Sequence, residues 1–95
     1  MIIDPDKIAA LCRANDIALL RLFGSAARGE DRDDSDVDLL VRFSDRKSLL
    51  DLIDIEEQFE RALGRKVDLV TEAALSPYIR DRVLREAKVL YERAG

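Results

Sequence analysis

Between Gly24 and Val41 the chain sets a turn of small residues, Gly24-Ser25-Ala26-Ala27-Arg28-Gly29, ahead of Ser35-Asp36-Val37-Asp38 and the apolar run Leu39-Leu40-Val41. Side chains alternate along a strand, so Asp36 and Asp38, two residues apart, point to one face and can converge on a cation. The turn ahead of them is suited to holding phosphate through exposed backbone N–H groups at the start of a short helix. Charge supports a cation site: six acids and one arginine lie between Glu30 and Asp38, a balance of 1 − 6 = −5 over nine residues. Such self-repulsion calls for a counter-ion or open water. Mg²⁺ favours paired carboxylates and completes its octahedron with waters and substrate phosphates, so it would arrive with a nucleotide.

A third acid follows in Lys66-Val67-Asp68-Leu69-Val70, a short alternating segment expected to pair beside the first acidic strand in a mixed sheet. Asp68 then faces the same cation. Metal-assisted phosphoryl transfer needs carboxylates to hold metal and one that can take the proton of the attacking hydroxyl, and three acids match those roles.

Two rival motifs fail on identity. Gly24 to Gly29 has the G-x-x-x-x-G spacing of a phosphate loop, but Glu30 and Asp31 stand where Lys and Ser or Thr are needed. Asp34, Asp36 and Asp38 fit positions 1, 3 and 5 of a calcium loop with Asp45 at position 12. Its sixth place, however, is Leu39 rather than the required glycine, inside what reads as a buried strand.

Through Gly24-Ser25, Arg28-Gly29-Glu30, Ser35-Asp36-Val37-Asp38 and Asp68, nearly the whole chain resembles the nucleotidyltransferases of the polymerase-beta superfamily. Its short form is similar to the minimal nucleotidyltransferases (MNT), encoded beside HEPN-domain ribonuclease toxins and acting as their antitoxins. The resemblance implies a palm-like α/β (α+β) fold, a small mixed sheet flanked by helices. It assigns Gly24 and Ser25, with Arg28, to the triphosphate of ATP, Asp36, Asp38 and Asp68 to Mg²⁺, and Asp68 also to the hydroxyl nucleophile. It further implies transfer of AMP from ATP to a tyrosine hydroxyl of a HEPN toxin. The alternatives are an antitoxin that neutralises by binding alone, or transfer to a small-molecule or RNA acceptor. Larger relatives grip the acceptor with an extra helical domain, so here a partner is expected to bring it, in a hetero-oligomer with the toxin or with self-association as well.

The rest of the chain must position these groups. Its 95 residues, 47% hydrophobic and 38% charged, suit one domain over residues 1–95. A net charge of −4 with dispersed basic residues argues against direct nucleic-acid binding, and the Arg80–Arg93 segment reads as a solvated helix face. Asp4 and Pro5 start a first helix presenting Ile8, Leu11 and Cys12, and Ile17 to Phe23 form the first strand. Leu49, Leu52, Ile53, Ile55, Phe59, Ala62 and Leu63 form the core stripe of a long helix ended by Gly64. Ser76-Pro77 opens a last helix before a strand at Val89-Leu90-Tyr91, giving the order αβαβαβαβ. Tyr78 and Tyr91 read as amphipathic packing, Arg42 as the outward residue of its strand, and Cys12, the sole cysteine, as a packed apolar residue in a reduced cytoplasmic setting. No apolar run is long enough to cross a membrane, and none is expected as a partner.

Overall fold

The computed structural model describes residues 3–30, 32 and 34–93. The expected order holds: α1 (Pro5–Ala14), β1 (Ile17–Phe23), α2 (Gly24–Ala27), β2 (Val37–Phe43), α3 (Leu49–Leu63), β3 (Val67–Thr71), α4 (Pro77–Glu86) and β4 (Lys88–Glu92), with a 3₁₀ turn at Glu72–Ala74. The strands form one mixed sheet in the order β3-β2-β1-β4, β2 running parallel to β3 and β1 antiparallel to both β2 and β4.

Local chemistry explains the helices. The Asp4 side chain accepts from Asp6 N–H ahead of Pro5, so α1 begins where its first donors are satisfied. Ser48 caps α3 reciprocally: its hydroxyl accepts from Asp51 N–H at 3.1 Å and Asp51 accepts from Ser48 N–H at 2.9 Å. Gly64, at φ +68°, ends α3 in the left-handed conformation that lets the chain reverse into β3. Ser48→Ala removes one half of the box and is expected to cost about 1 kcal/mol, a drop of roughly 4–8 °C in Tm by thermal unfolding.

The main core cluster packs the helices α1 and α3 against the sheet. Ile8 and Cys12 of α1 and Ile55 and Phe59 of α3 pack with Ile17, Leu20, Leu22, Val37, Leu39, Val41 and Val67. Burial pushes the Cys12 thiol up to about 12, so it is an unreactive packed group, as expected. Leu39 is fully buried within β2, which disposes of the calcium-loop reading. Asn15 Nδ2 donates to Gln58 Oε1 at 2.9 Å, tying α1 to α3.

Two expectations need correction. The apolar stripe of α3 is not core throughout, for Leu49 and Ile53 are 73% and 48% exposed while Ile55 and Phe59 are buried. Tyr78 is 97% exposed at the start of α4 rather than packed, whereas Tyr91, in β4, packs against the core as expected. The α4 helix buries no residue, consistent with the solvated face expected of Arg80–Arg93, and Arg42 is exposed as expected.

Candidate active site

The acids occupy the sheet face opposite the α1/α3 core. In β2 the core residues Val37, Leu39 and Val41 alternate with Asp38, so Asp38 projects the other way. The parallel register sets Asp38 directly beside Asp68 of β3, and the antiparallel register sets it beside Phe23, the last residue of β1. Gly24 follows Phe23 at once, which brings the small-residue turn against the carboxylate. A Cβ on Gly24 would overlap Asp38 Oδ2 and stand 3.1 Å from Asp38 Cγ. Gly24 also has φ +71°, so glycine is required here by backbone and by space together.

Asp36 lies one residue ahead of β2 and is exposed, so it is carried by the loop rather than by the strand. It is nevertheless close enough to act on its neighbour: Asp38's carboxyl is held above the ordinary range first by desolvation, then by repulsion from Asp68 and Asp36, with Arg28 opposing. All three sequence-nominated acids therefore act on one locus. They do not close into a ready cage, and among the described residues no three acidic, imidazole or thiol groups are gathered to hold a metal. Like charges keep such carboxylates apart. The donor set, all hard oxygen with a repelled and partly desolvated central member, fits Mg²⁺ held by Asp36, Asp38 and Asp68.

The raised Asp38 pKa has a measurable consequence. The folded state binds this proton more tightly than the unfolded chain, so the ionised carboxylate opposes folding at neutral pH, and the opposition fades as pH falls through the raised pKa. Asp38→Asn is expected to melt above the unmodified, metal-free protein at pH 7.5, with the gap shrinking toward about pH 4, as followed by thermal denaturation.

The supporting groups come from far along the chain. Arg65 Nη2 donates to the carbonyls of Arg32 and Ser35, the latter at 2.7 Å, fixing the acidic loop just before Asp36. Val37 N–H donates to Lys66 O at 2.8 Å where the two acidic strands start. On the outer edge of β3, Glu60 Oε2 accepts from Val67 N–H and Glu56 Oε2 from Leu69 N–H, each at 3.0 Å. These α3 glutamates satisfy an exposed strand edge and hold Asp68, which lies between the two donors, in register. In the turn, the Ser25 carbonyl accepts from Arg28 N–H and Glu30 N–H, closing the loop after α2. The Arg28 guanidinium reaches Glu30 Oε2 at 3.2 Å and Glu86 Oε2 of α4 at 3.4 Å. Sequence pattern pointed to none of Glu56, Glu60, Arg65 or Glu86, because each acts on residues distant in the chain.

Residues 6–95 match the model of the polymerase beta nucleotidyltransferase domain. The chain belongs to the polymerase-beta nucleotidyltransferase family. Within it, a Methanocaldococcus jannaschii chain named as a protein adenylyltransferase is 40% identical over 85% of this chain and 87% of its own. The protein adenylyltransferase MntA of Thermococcus cleftensis is 51% identical over 68% of this chain and 66% of its own. A toxin–antitoxin crystal structure with AMP-PNP shares the fold at a TM-score of 0.81, with 28% identity over 96% of this chain and 75% of that one. The complex of a tri-AMPylated Shewanella oneidensis HEPN toxin with its MNT antitoxin follows at a TM-score of 0.70, with 26% identity over 94% and 70% of the two chains. This nucleotidyltransferase is thus of the minimal, MntA-like kind, and its mixed sheet is that of the family's solved members.

Proposed function

We propose that this nucleotidyltransferase moves AMP from ATP to a hydroxyl, most simply a tyrosine hydroxyl, of a HEPN-domain toxin and thereby acts as its antitoxin. The observation that carries this is the meeting of Gly24, Asp38 and Asp68 at one point of the sheet, with Asp36 acting on the same carboxylate. The kinship to protein adenylyltransferases and to antitoxins seen in toxin complexes supports the choice of acceptor.

The residues divide the work as follows. Gly24 and Ser25 bring the turn's backbone against the triphosphate, and Arg28 supplies positive charge beside it. Asp36, Asp38 and Asp68 would hold Mg²⁺, which when bound draws charge from the phosphates and acidifies the attacking hydroxyl. Asp68, exposed on an edge strand, is placed to accept the proton of that hydroxyl. The hydroxyl oxygen bonds to the α-phosphorus, the bond to pyrophosphate breaks, and pyrophosphate leaves with its electron pair. A cytoplasmic setting agrees with the buried free thiol of Cys12.

A second reading, silencing by binding alone, is favoured by the exposed Leu49, Leu50 and Tyr78, which suit a protein interface. Transfer of labelled AMP from ATP and Mg²⁺ to a co-purified HEPN partner separates the two. Label moved by the native chain and not by Asp36→Asn/Asp38→Asn supports the transferase; a silenced toxin that never takes label leaves binding as the function.

A further inference from the structure

Beside the turn, Arg28 and Arg82 bring two guanidiniums to one cavity. A cavity of about 230 Å³ lies between the turn and α4, lined by Phe23, Gly24, Arg28, Ile79, Arg82 and Val83 and closed by Glu86. Gly24 belongs both to this cavity and to the contact with Asp38, so the cavity adjoins that carboxylate. Two guanidiniums line it, and one carboxylate bridges them. Glu86 Oε2 lies 3.4 Å from Arg28 Nη1, and Glu86 Oε1 lies 3.6 Å from Arg82 Nε.

A carboxylate shared by two arginines occupies the place, and offers the charge, that a phosphate would. All three side chains are accessible, at 42% for Arg28, 37% for Glu86 and 71% for Arg82, so these pairs are of the weak, exchangeable kind. A triphosphate carries more negative charge than the Mg²⁺ that Asp36, Asp38 and Asp68 would hold can offset, so positive groups on its far side favour its binding. The α4 helix buries no residue, so it can adjust without breaking the core.

Resting on the nucleotide reading of this site, we infer that Arg82 is a second triphosphate-binding cation and that Glu86 is an internal competitor. Glu86 holds Arg28 and Arg82 in the free protein and yields them to the β- and γ-phosphates when ATP enters. The pair sets the preference for triphosphate over monophosphate. Arg82 touches substrate in this account, whereas Glu86 acts through the arginines.

The test is nucleotide binding by the full chain in Mg²⁺, without acceptor, comparing ATP with AMP by calorimetry. Arg82→Ala is expected to weaken ATP about tenfold and AMP by less than about threefold, lowering the ATP/AMP affinity ratio, as loss of one charge-assisted phosphate contact should. Glu86→Gln is expected to tighten ATP about threefold by freeing Arg82 and removing one of the two carboxylate partners of Arg28, Glu30 remaining the other. A merely structural Arg82–Glu86 pair on a solvated helix gives the opposite pattern: both variants lower Tm slightly and leave the ATP/AMP ratio unchanged, which overturns the assignment. Arg82→Lys, keeping charge but not the fork, is expected to recover part of the ATP affinity, and no recovery counts against a phosphate contact. Failure of the unmodified chain to bind Mg·ATP sinks the nucleotide reading itself, while an unchanged ratio with intact binding sinks only the role of Arg82 and Glu86.

Discussion

Asp36→Asn/Asp38→Asn is expected to lower AMP transfer to the partner by about 10³-fold or more while the protein stays folded. Two effects act on the same carboxylates with opposite signs. For chemistry, asparagine keeps the shape but removes two of the three charges available to a divalent ion, so the ATP phosphates lose the cation that would draw off their charge. For folding, the ionised Asp38 is an adverse group, partly desolvated and repelled by Asp68 and Asp36, so neutralising it relieves strain. Activity and stability should therefore move apart, with single-turnover transfer falling and Tm holding or rising. A variant that loses both together would mean that the acids are needed for the fold, and one that keeps its activity would remove them from the chemistry.

How far the sequence disclosed this arrangement depends on the range over which each residue acts. Caps and breaks are local, so Asp4-Pro5, Gly64 and Ser76-Pro77 announced the ends of their helices directly. The alternation in Val37–Val41 and Val67–Val70 announced two strands, and their parallel pairing put Asp38 beside Asp68 as expected. Periodicity, however, says only which residues share a helix face, not how much of that face the sheet covers. That is why Leu49 and Ile53 carried the pattern of core and are exposed, while Ile55 and Phe59 on the same helix are buried. The residues that steady the site were silent for a related reason. Arg65 grips the loop carbonyls of Arg32 and Ser35, and Glu56 and Glu60 satisfy the outer edge of β3, through contacts that exist only once the helix and sheet have met. Arg28 was legible as a basic residue in the small-residue turn, but its hold on Glu86, 58 positions away, was not.

Gly24→Ala should be the most damaging change of a single hydrogen to a methyl group, and Gly29→Ala shows why. Both glycines sit in the left-handed region, at φ +71° and +72°, so alanine meets the same backbone penalty of roughly 1–2 kcal/mol at each. Their surroundings differ. A methyl at Gly29 meets nothing within 4 Å, whereas one at Gly24 overlaps the Asp38 carboxylate. Asp38 cannot swing far to relieve it, because Asp68 stands beside it in register and repels it on that side. The turn and the acid must therefore separate, and under the proposed mechanism a shift of even about 1 Å between them is enough to cost about 10²-fold in rate. Gly29→Ala is expected to lower Tm by several degrees and leave AMP transfer within a few-fold of the native rate. Gly24→Ala is expected to lose about 2–3 kcal/mol of stability and transfer AMP about 10²-fold more slowly, even at temperatures where it is fully folded. Equal losses of rate in the two variants would show that turn strain alone governs the activity. A larger loss at Gly24 would identify the closeness of turn and carboxylate as what the glycine preserves.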